Sequence, residues 1–330
     1  MGRGTILVTG GAGYIGSHVV LQLRERGEPV VVLDNLSRGF RQALGDTPLV
    51  VGDIGDRDLV SRLLREHDVD TVIHFAAFTI VPESVSDPLK YYGNNVCGTR
   101  NLLQCCAESG VRHFVFSSSA AVYGTLATDL AAEDSPTAPI NAYGTSKLVS
   151  EWMLRDLALA SELRYVALRY FNVAGSDMGG RIGQATPGAT LLIKVASEAI
   201  VGKRAHVSIF GTDYQTPDGT GIRDYIHVQD LASAHLAALD YLSRAGESAV
   251  LNCGYGHGYS VRQILESVQR VAGHRLTIRE EPRRAGDPAV LVAQAERIRA
   301  VLGWSPKLDD LDTIVRSSLD WEAKLQREPW

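Results

Sequence analysis

The sequence predicts an α/β fold: a doubly wound parallel sheet joined to a smaller, mixed α/β C-terminal domain. Three observations carry that expectation. Short β-branched runs alternate with amphipathic helical stretches through the first half of the chain. Some runs, such as residues 30–33, are apolar without interruption, as strands covered on both faces must be. After Phe171 the alternation gives way to long glycine-rich stretches before helical periodicity resumes.

In chain order, the candidate strands are residues 6–9, 30–33, 49–51, 72–75, 113–117 and 165–169. Helical patterns at 17–26, 57–67 and 96–108 separate them, which calls for right-handed βαβ crossovers. Residues 175–188 and 211–221 read as loops long enough to line a site. Helical patterns return at 191–201, 228–241, 261–272 and 309–325. The expected division is residues 1–171 and 172–330, with a soft and interwoven limit, because the chain from Asn252 onward can return to the sheet.

A chain of 330 residues, 45% hydrophobic and 22% charged, suits a globular protein of one large or two modest domains. Its net charge of −5 gives no reason to expect nucleic acid or an anionic membrane as a partner. An anionic ligand would have to be met by local basic groups. Cys97, Cys105, Cys106 and Cys253 lack paired spacing and read as reduced thiols, with no metal site expected. The uncharged stretch 5–23 is broken by four glycines and follows no basic run, so it reads as strand, turn and helix start rather than a signal or membrane segment. The cytoplasm is the expected location.

That first strand runs into Gly10, Gly11, Gly13 and Gly16, followed by a helical pattern. Glycines at this spacing allow a tight turn, close approach of a pyrophosphate and a helix N-terminus facing it, the arrangement of a Rossmann-type dinucleotide site. Gly10, Gly13, Tyr14, Ile15 and Gly16 are therefore expected around the cofactor. Eighteen residues after Gly16, Asp34 ends the next strand, where a carboxylate can accept both ribose hydroxyls and would repel a 2′-phosphate. NAD is the expected cofactor, Arg38 and Arg41 keeping NADP as the alternative. Asn35 sits beside Asp34, and Asp53 with Ile54 ends the third strand, where an adenine contact is expected. A solvated turn aspartate is the alternative for Asp53.

Tyr143 and Lys147 stand four residues apart, on one helical face and about 6 Å apart along the axis. A free phenol, with a pKa near ~10, is a poor base at neutral pH, and a neighbouring ammonium stabilises its phenolate. Ser119 lies after a predicted strand, placed to hold a reacting oxygen beside Tyr143. Glycine loop, strand-end aspartate, strand-end serine and Tyr-x-x-x-Lys follow one another in the order that an active site at the top of the sheet demands.

Segments 9–18, 74–77, 91–96, 117–124, 169–175 and above all 210–228 resemble the UDP-galactose 4-epimerases of the extended short-chain dehydrogenase/reductase family, and the likeness spans nearly the whole chain. It implies an isomerase that epimerises UDP-galactose and UDP-glucose reversibly at C4, through a 4-keto intermediate with tightly bound NAD. It implies Ser119, Tyr143 and Lys147 as catalytic residues, and Phe75, Ala76, Ala77, Asn94, Ser117, Tyr143, Lys147 and Tyr170 beside the cofactor. Ser119, Tyr143, Phe171, Asn172, Arg223, Arg284, Asp287 and Leu291 would meet the UDP-sugar, the two arginines at the diphosphate. A homodimer is implied as well, with helices 96–108 and 148–160 as its interface.

Thr79, Leu191 and Leu291 depart from the residues that members of the family place at the diphosphate, the uracil and the sugar, which leaves the substrate range open. C4 epimerisation of a UDP-N-acetylhexosamine, UDP-glucuronate or a UDP-pentose is the alternative, and a non-catalytic NAD-binding sensor a more distant one. Ala120 and Ala121 stand where a 4,6-dehydratase would need its acid and base.

Overall fold

The computed structural model describes residues 4–126, 128–284 and 287–330. Its centre is a seven-stranded, wholly parallel sheet. The strands are β1 (Thr5–Thr9), β2 (Val30–Asp34), β3 (Leu49–Val51), β4 (Val69–His74), β5 (His113–Ser117), β7 (Arg164–Tyr170) and β12 (Ala249–Cys253). Their order across the sheet is β12-β7-β5-β4-β1-β2-β3. The order reverses between β1 and β4, which opens a crevice at the carboxyl ends of these two strands. The doubly wound parallel sheet is thus borne out.

Successive side chains of β1 point to opposite faces, and both faces are covered. Ile6 and Val8 join a core with Val19, Val20 and Leu23 of α1 (Tyr14–Glu25) and with Leu231, Leu236 and Leu239 of α8 (Val228–Ser243). Leu7 joins the opposite core, with Leu63 and Leu64 of α2 (Arg57–Glu66), Leu102 and Cys106 of α5 (Thr99–Ser109), and Leu154 of α6 (Ala142–Ala160). Each fully buried aliphatic side chain contributes about 1.5–3 kcal/mol. Two-sided burial explains why the strands read as unbroken apolar runs.

Two elements differ from the sequence expectation. β4 begins at Val69, not residue 72, because Val69 and Thr71 pair with Thr5 and Ile6 of β1. Between α4 (Pro88–Tyr91), which follows the short α3 (Val81–Ser86), and α5, residues 92–98 form a π-helical turn. Within that turn Asn95 engages a neighbouring loop, and such widened turns recur where a helical residue is put to other use.

The smaller region holds a four-stranded sheet ordered β13 (Tyr259–Ser260), β10 (Ile222–Arg223), β15 (Val290–Ala293), β6 (Leu130–Ala131). Two strand pairs flank it: β8 (Asn172–Ala174) with β11 (Tyr225–His227), and β9 (Val207–Phe210) with β14 (Ile278–Glu281). Helices α7 (Leu192–Ile200), α9 (Val261–Ala272), α10 (Glu296–Leu302) and α11 (Leu311–Arg327) complete it. The two halves of the chain exchange elements: β6 is lent to the small sheet, and α8 with β12 returns to the large one. Among the described residues no helix is long and apolar enough to cross a membrane.

Candidate active site

β1 ends in the glycine turn. Gly10 has φ +70°, and a Cβ there would lie 2.5 Å from the Ala76 amide nitrogen, so only glycine lets β1 and the segment after β4 meet. Gly13 precedes α1 with no side chain capping the helix, so its first-turn N–H groups face the crevice as an anion site. Beside it, the Asp34 carboxylate accepts from the Ala12 amide at 2.9 Å and the Leu36 amide at 2.8 Å. Burial raises its proton affinity and these two bonds oppose the rise. Asn35 donates to Asp53 at 2.9 Å, and the Gly55 amide donates to the same carboxylate at 2.8 Å.

Gly10, Gly13, Asp34, Asn35, Asp53, Ile54, Phe75, Ala76, Ala77 and Asn94 line one cleft. Arg38, which kept NADP as the alternative, lines it too, as do Gly39 and Phe78, which the sequence reading did not assign. Tyr14, Ile15 and Gly16 form the first turn of α1, and it is their backbone N–H groups, not their side chains, that stand at this end of it. The Tyr14 hydroxyl donates to the Gly175 carbonyl at 2.6 Å, Ile15 packs into the core and Gly16 is buried in α1. A glycine cradle at a bare helix N-terminus, faced by an oriented carboxylate, fits a dinucleotide with a free 2′-hydroxyl.

The reactive side chains gather beyond the end of β5, where Phe78 of the cleft wall packs against the cluster that holds Tyr143. Asn141 caps α6 by accepting from the Gly144 amide at 2.9 Å, which fixes Tyr143 in the first turn and Lys147 one turn later. A Cβ on Gly144 would lie 2.4 Å from the Ala121 carbonyl, so glycine lets α6 close against the turn that follows Ser119. The Ser119 hydroxyl accepts from the Ala121 amide at 3.2 Å and lies close enough to the Tyr143 phenol to lower its proton affinity. Lys147, 3% exposed, donates to the Ser117 carbonyl at 2.7 Å, with Nζ 6.0 Å from the Tyr143 ring centre. Burial lowers its pKa to about 7, against the pull of the Glu151 carboxylate one turn further on. Burial also pushes the Tyr143 phenol up, and the Ser119 hydroxyl opposes that. Behind them, the Ser117 hydroxyl donates to Tyr170 at 2.9 Å.

On the far side, Phe171 packs with Ala120, Tyr123 and Ala293, and Leu291 lies against the same cluster. The Asn172 amide donates to the Asp224 carbonyl at 2.9 Å, which holds β8 beside the strand that follows Arg223. Arg223 stands opposite Leu291 in the β10–β15 register and reaches Asp287 at 2.5 Å and the Pro288 carbonyl at 2.7 Å. Phe171, Asn172, Arg223, Asp287 and Leu291 therefore come together. Arg284 is exposed: its guanidinium lies 3.8 Å from the Phe210 ring centre, and its carbonyl accepts from the Asp287 amide at 3.3 Å. Thr79 is exposed on the loop after β4, and Leu191 faces a small cavity with Tyr14, Lys194 and Trp321.

The sequence reading missed Asn95 and the buried Ser118, Glu151 and Arg169. Asn95 accepts from the Phe78 amide at 2.9 Å and donates to the Phe78 carbonyl and to Ser146, each at 3.0 Å. It thereby ties the cleft wall to α6. Its signal was present: two adjacent asparagines inside a helical stretch that disfavours them.

Comparison with known proteins agrees with this geometry. Residues 6–254 match the model of the NAD dependent epimerase/dehydratase family. A UDP-glucose 4-epimerase of Azospirillum brasilense is 55% identical over 98% of this chain and 93% of its own. The crystal structure of UDP-glucose 4-epimerase from Brucella ovis in complex with NAD superposes with a TM-score of 0.93 at 44% identity, covering 96% of this chain and 98% of that one. That of Bifidobacterium longum, in complex with NAD+ and UDP, gives 0.92 at 39% identity, covering 97% and 98%. With matches of this extent, the chain belongs to the NAD dependent epimerase/dehydratase family.

Proposed function

We propose that this chain interconverts UDP-galactose and UDP-glucose by inverting C4 of the hexose through a 4-keto sugar. The observation that carries this reading is the convergence of Ser119, Tyr143 and Lys147 beside a dinucleotide cleft, in a chain 55% identical to a UDP-glucose 4-epimerase. Tyr143 takes the proton from the C4 hydroxyl, with the neighbouring Ser119 hydroxyl holding the same oxygen. Lys147 stabilises the phenolate from within the protein interior. NAD, held by the glycine turn, Asp34 and Asp53, supplies hydride acceptance and return when bound. Residues 1–171 hold the cofactor and residues 172–330 the UDP-sugar, with α8 and β12 lent back to the large sheet.

Arg223 and Asp287 grip the UDP portion, with Asn172 beside them, while Phe171 and Leu291 border the sugar. Binding energy from UDP, remote from C4, keeps the planar intermediate in the pocket while the hexose presents its other face. Tyr143 then returns the proton to the oxygen it came from. A second copy of this chain completes the assembly through α5 and α6, where Trp152 (46% exposed) and Leu159 (84% exposed) form apolar surface. All four cysteines are free thiols, in keeping with a place in the reducing cytoplasm.

The test is to incubate purified protein with UDP-galactose, without added cofactor, and to assay UDP-glucose. Its appearance supports the reading together with retained NAD. No product, even with NAD added, would turn the reading to UDP-uronates and UDP-pentoses.

A further inference from the structure

Glu151 lies one helical turn beyond Lys147 and two beyond Tyr143, so the three side chains share a face of α6. It is buried, and every bond it accepts comes from a residue at the end of a neighbouring strand. Its Oε1 accepts from the Ser118 hydroxyl at 2.5 Å and from Arg169 Nε at 3.0 Å; its Oε2 accepts from Arg169 Nη2 at 2.6 Å. Arg169 continues to the Tyr123 hydroxyl at 3.1 Å, and Tyr123 donates to Asn252 on β12 at 2.6 Å. One carboxylate thus joins α6 to β5 and β7, and through Arg169 and Tyr123 to β12.

Stability alone does not explain such a pair. Removing two charges from water is expensive, and apolar replacements of buried ion pairs are often neutral or stabilising. A fully satisfied buried network instead fixes one geometry. The geometry fixed here is that of Ser118, and Ser118 sits between two residues the chemistry needs. The carbonyl of Ser117 accepts from Lys147, and the hydroxyl of Ser119 stands beside the Tyr143 phenol.

We propose that Glu151 is a positioning residue, which through Ser118 and Arg169 holds the end of β5 so that the Ser117 carbonyl meets Lys147 and the Ser119 hydroxyl meets Tyr143. The proposal rests on the reading of those three residues as the catalytic group. Glu151 also supplies the negative charge nearest along the helix to Lys147. The other groups around that ammonium are Tyr143 on its own helix, the Phe116 ring and Ser117 carbonyl on β5, and neutral His74 on β4, while β7 contributes Arg169, paired with Glu151, and Tyr170, bonded to Ser117. With Glu151 neutralised, Arg169 is left uncompensated and Lys147 gives up its proton at lower pH.

The experiment uses Ser118→Ala, which removes one bond and no charge, and Glu151→Gln, which removes the charge at constant shape. Both are assayed as NAD-loaded enzyme for kcat and KM with UDP-galactose against pH, alongside thermal midpoints. We expect Ser118→Ala to lower kcat about tenfold with KM within about twofold and the alkaline limb unmoved, as a small misplacement of catalytic groups does. Glu151→Gln should lower kcat further and move the alkaline limb to lower pH. Lowered thermal midpoints with kcat and the limb unchanged would make the network structural only and overturn the proposal. If Glu151→Gln does not fold, kcat of Ser118→Ala decides. Tyr143→Phe is run in parallel: normal turnover there would sink the catalytic reading itself, a failure distinct from that of Glu151.

Discussion

Lys147 donates to the Ser117 carbonyl at 2.7 Å from a helical position one turn after Tyr143, and at 3% exposure it is an ammonium held where water barely reaches. Burial brings its pKa from 10.5 to about 7. Between those values the unfolded chain binds the proton and the folded one does not, so this residue's contribution to stability rises with pH across that window. Its full burden falls at and below pH ~7. Lys147→Met should therefore raise the thermal midpoint at pH ~6, by a margin that shrinks toward pH ~10, while turnover falls at least ~10²-fold. Scanning fluorimetry at the two pH values, beside a UDP-galactose assay, checks both halves. A lower midpoint at the acid end would show that the ammonium's bond outweighs its burial.

Tyr143 and Ser119 separate chemistry from binding. Neither contributes to the glycine turn or to the Asp34 end of the cleft. Tyr143→Phe should lower kcat by roughly 10²–10⁴-fold, the range of a lost acid–base group, while the purified protein keeps its NAD. Ser119→Ala should fall less, because the phenol remains. Nucleotide released on denaturation, measured by absorbance, distinguishes lost chemistry from lost cofactor.

Asp34 accepts from two backbone amides and presents a charge at the cofactor's ribose end. Asp34→Asn keeps the shape, but only its carbonyl oxygen can accept, so one amide loses its partner and the repulsion of a 2′-phosphate disappears. Affinity of the stripped protein for NAD should fall about tenfold, in line with the ~1–3 kcal/mol lost when a buried donor goes unpaired. The preference for NAD over NADP should narrow with it. Titration of both nucleotides decides. An unchanged ratio would mean that Arg38 or the loop, rather than the carboxylate, sets the choice.

The large sheet was legible in the sequence because both of its faces are buried and its strands are consequently apolar throughout. The mixed strands of the smaller region were not: β10, β13 and β6 have two residues each, too few for any periodicity to register. At the site, Asp34 and the Tyr143–Lys147 pair could be found because their spacing is itself the chemistry. Glu151 and Arg169 escaped because they meet across different elements, α6 and β7, and nothing local separates a buried glutamate from a solvated one. Tyr14 shows a limit of another kind: its place beside the glycine turn sets its backbone N–H at the start of α1, but does not say that its hydroxyl turns to Gly175.

Arg223 is the strongest test of the substrate side. One of its guanidinium nitrogens reaches Asp287 at 2.5 Å and the Pro288 carbonyl at 2.7 Å, and the other the Ile222 carbonyl at 2.8 Å. The fork therefore ties β10 to the segment that precedes β15. Arg223→Ala should raise KM for UDP-galactose, and the inhibition constant of free UDP in parallel, by at least about tenfold. Because UDP anchors the sugar remotely, part of the loss should also appear in kcat. Arg223→Lys should not restore affinity, since a point charge cannot span the same acceptors. Asp287→Asn, which keeps the hydrogen bond but drops the charge, should fall between wild type and Arg223→Ala. If Arg223→Ala instead lost stability with UDP inhibition unchanged, its task would be to pin β10 rather than to hold the nucleotide, and the diphosphate would have to be met by other basic groups, Arg284 first among them.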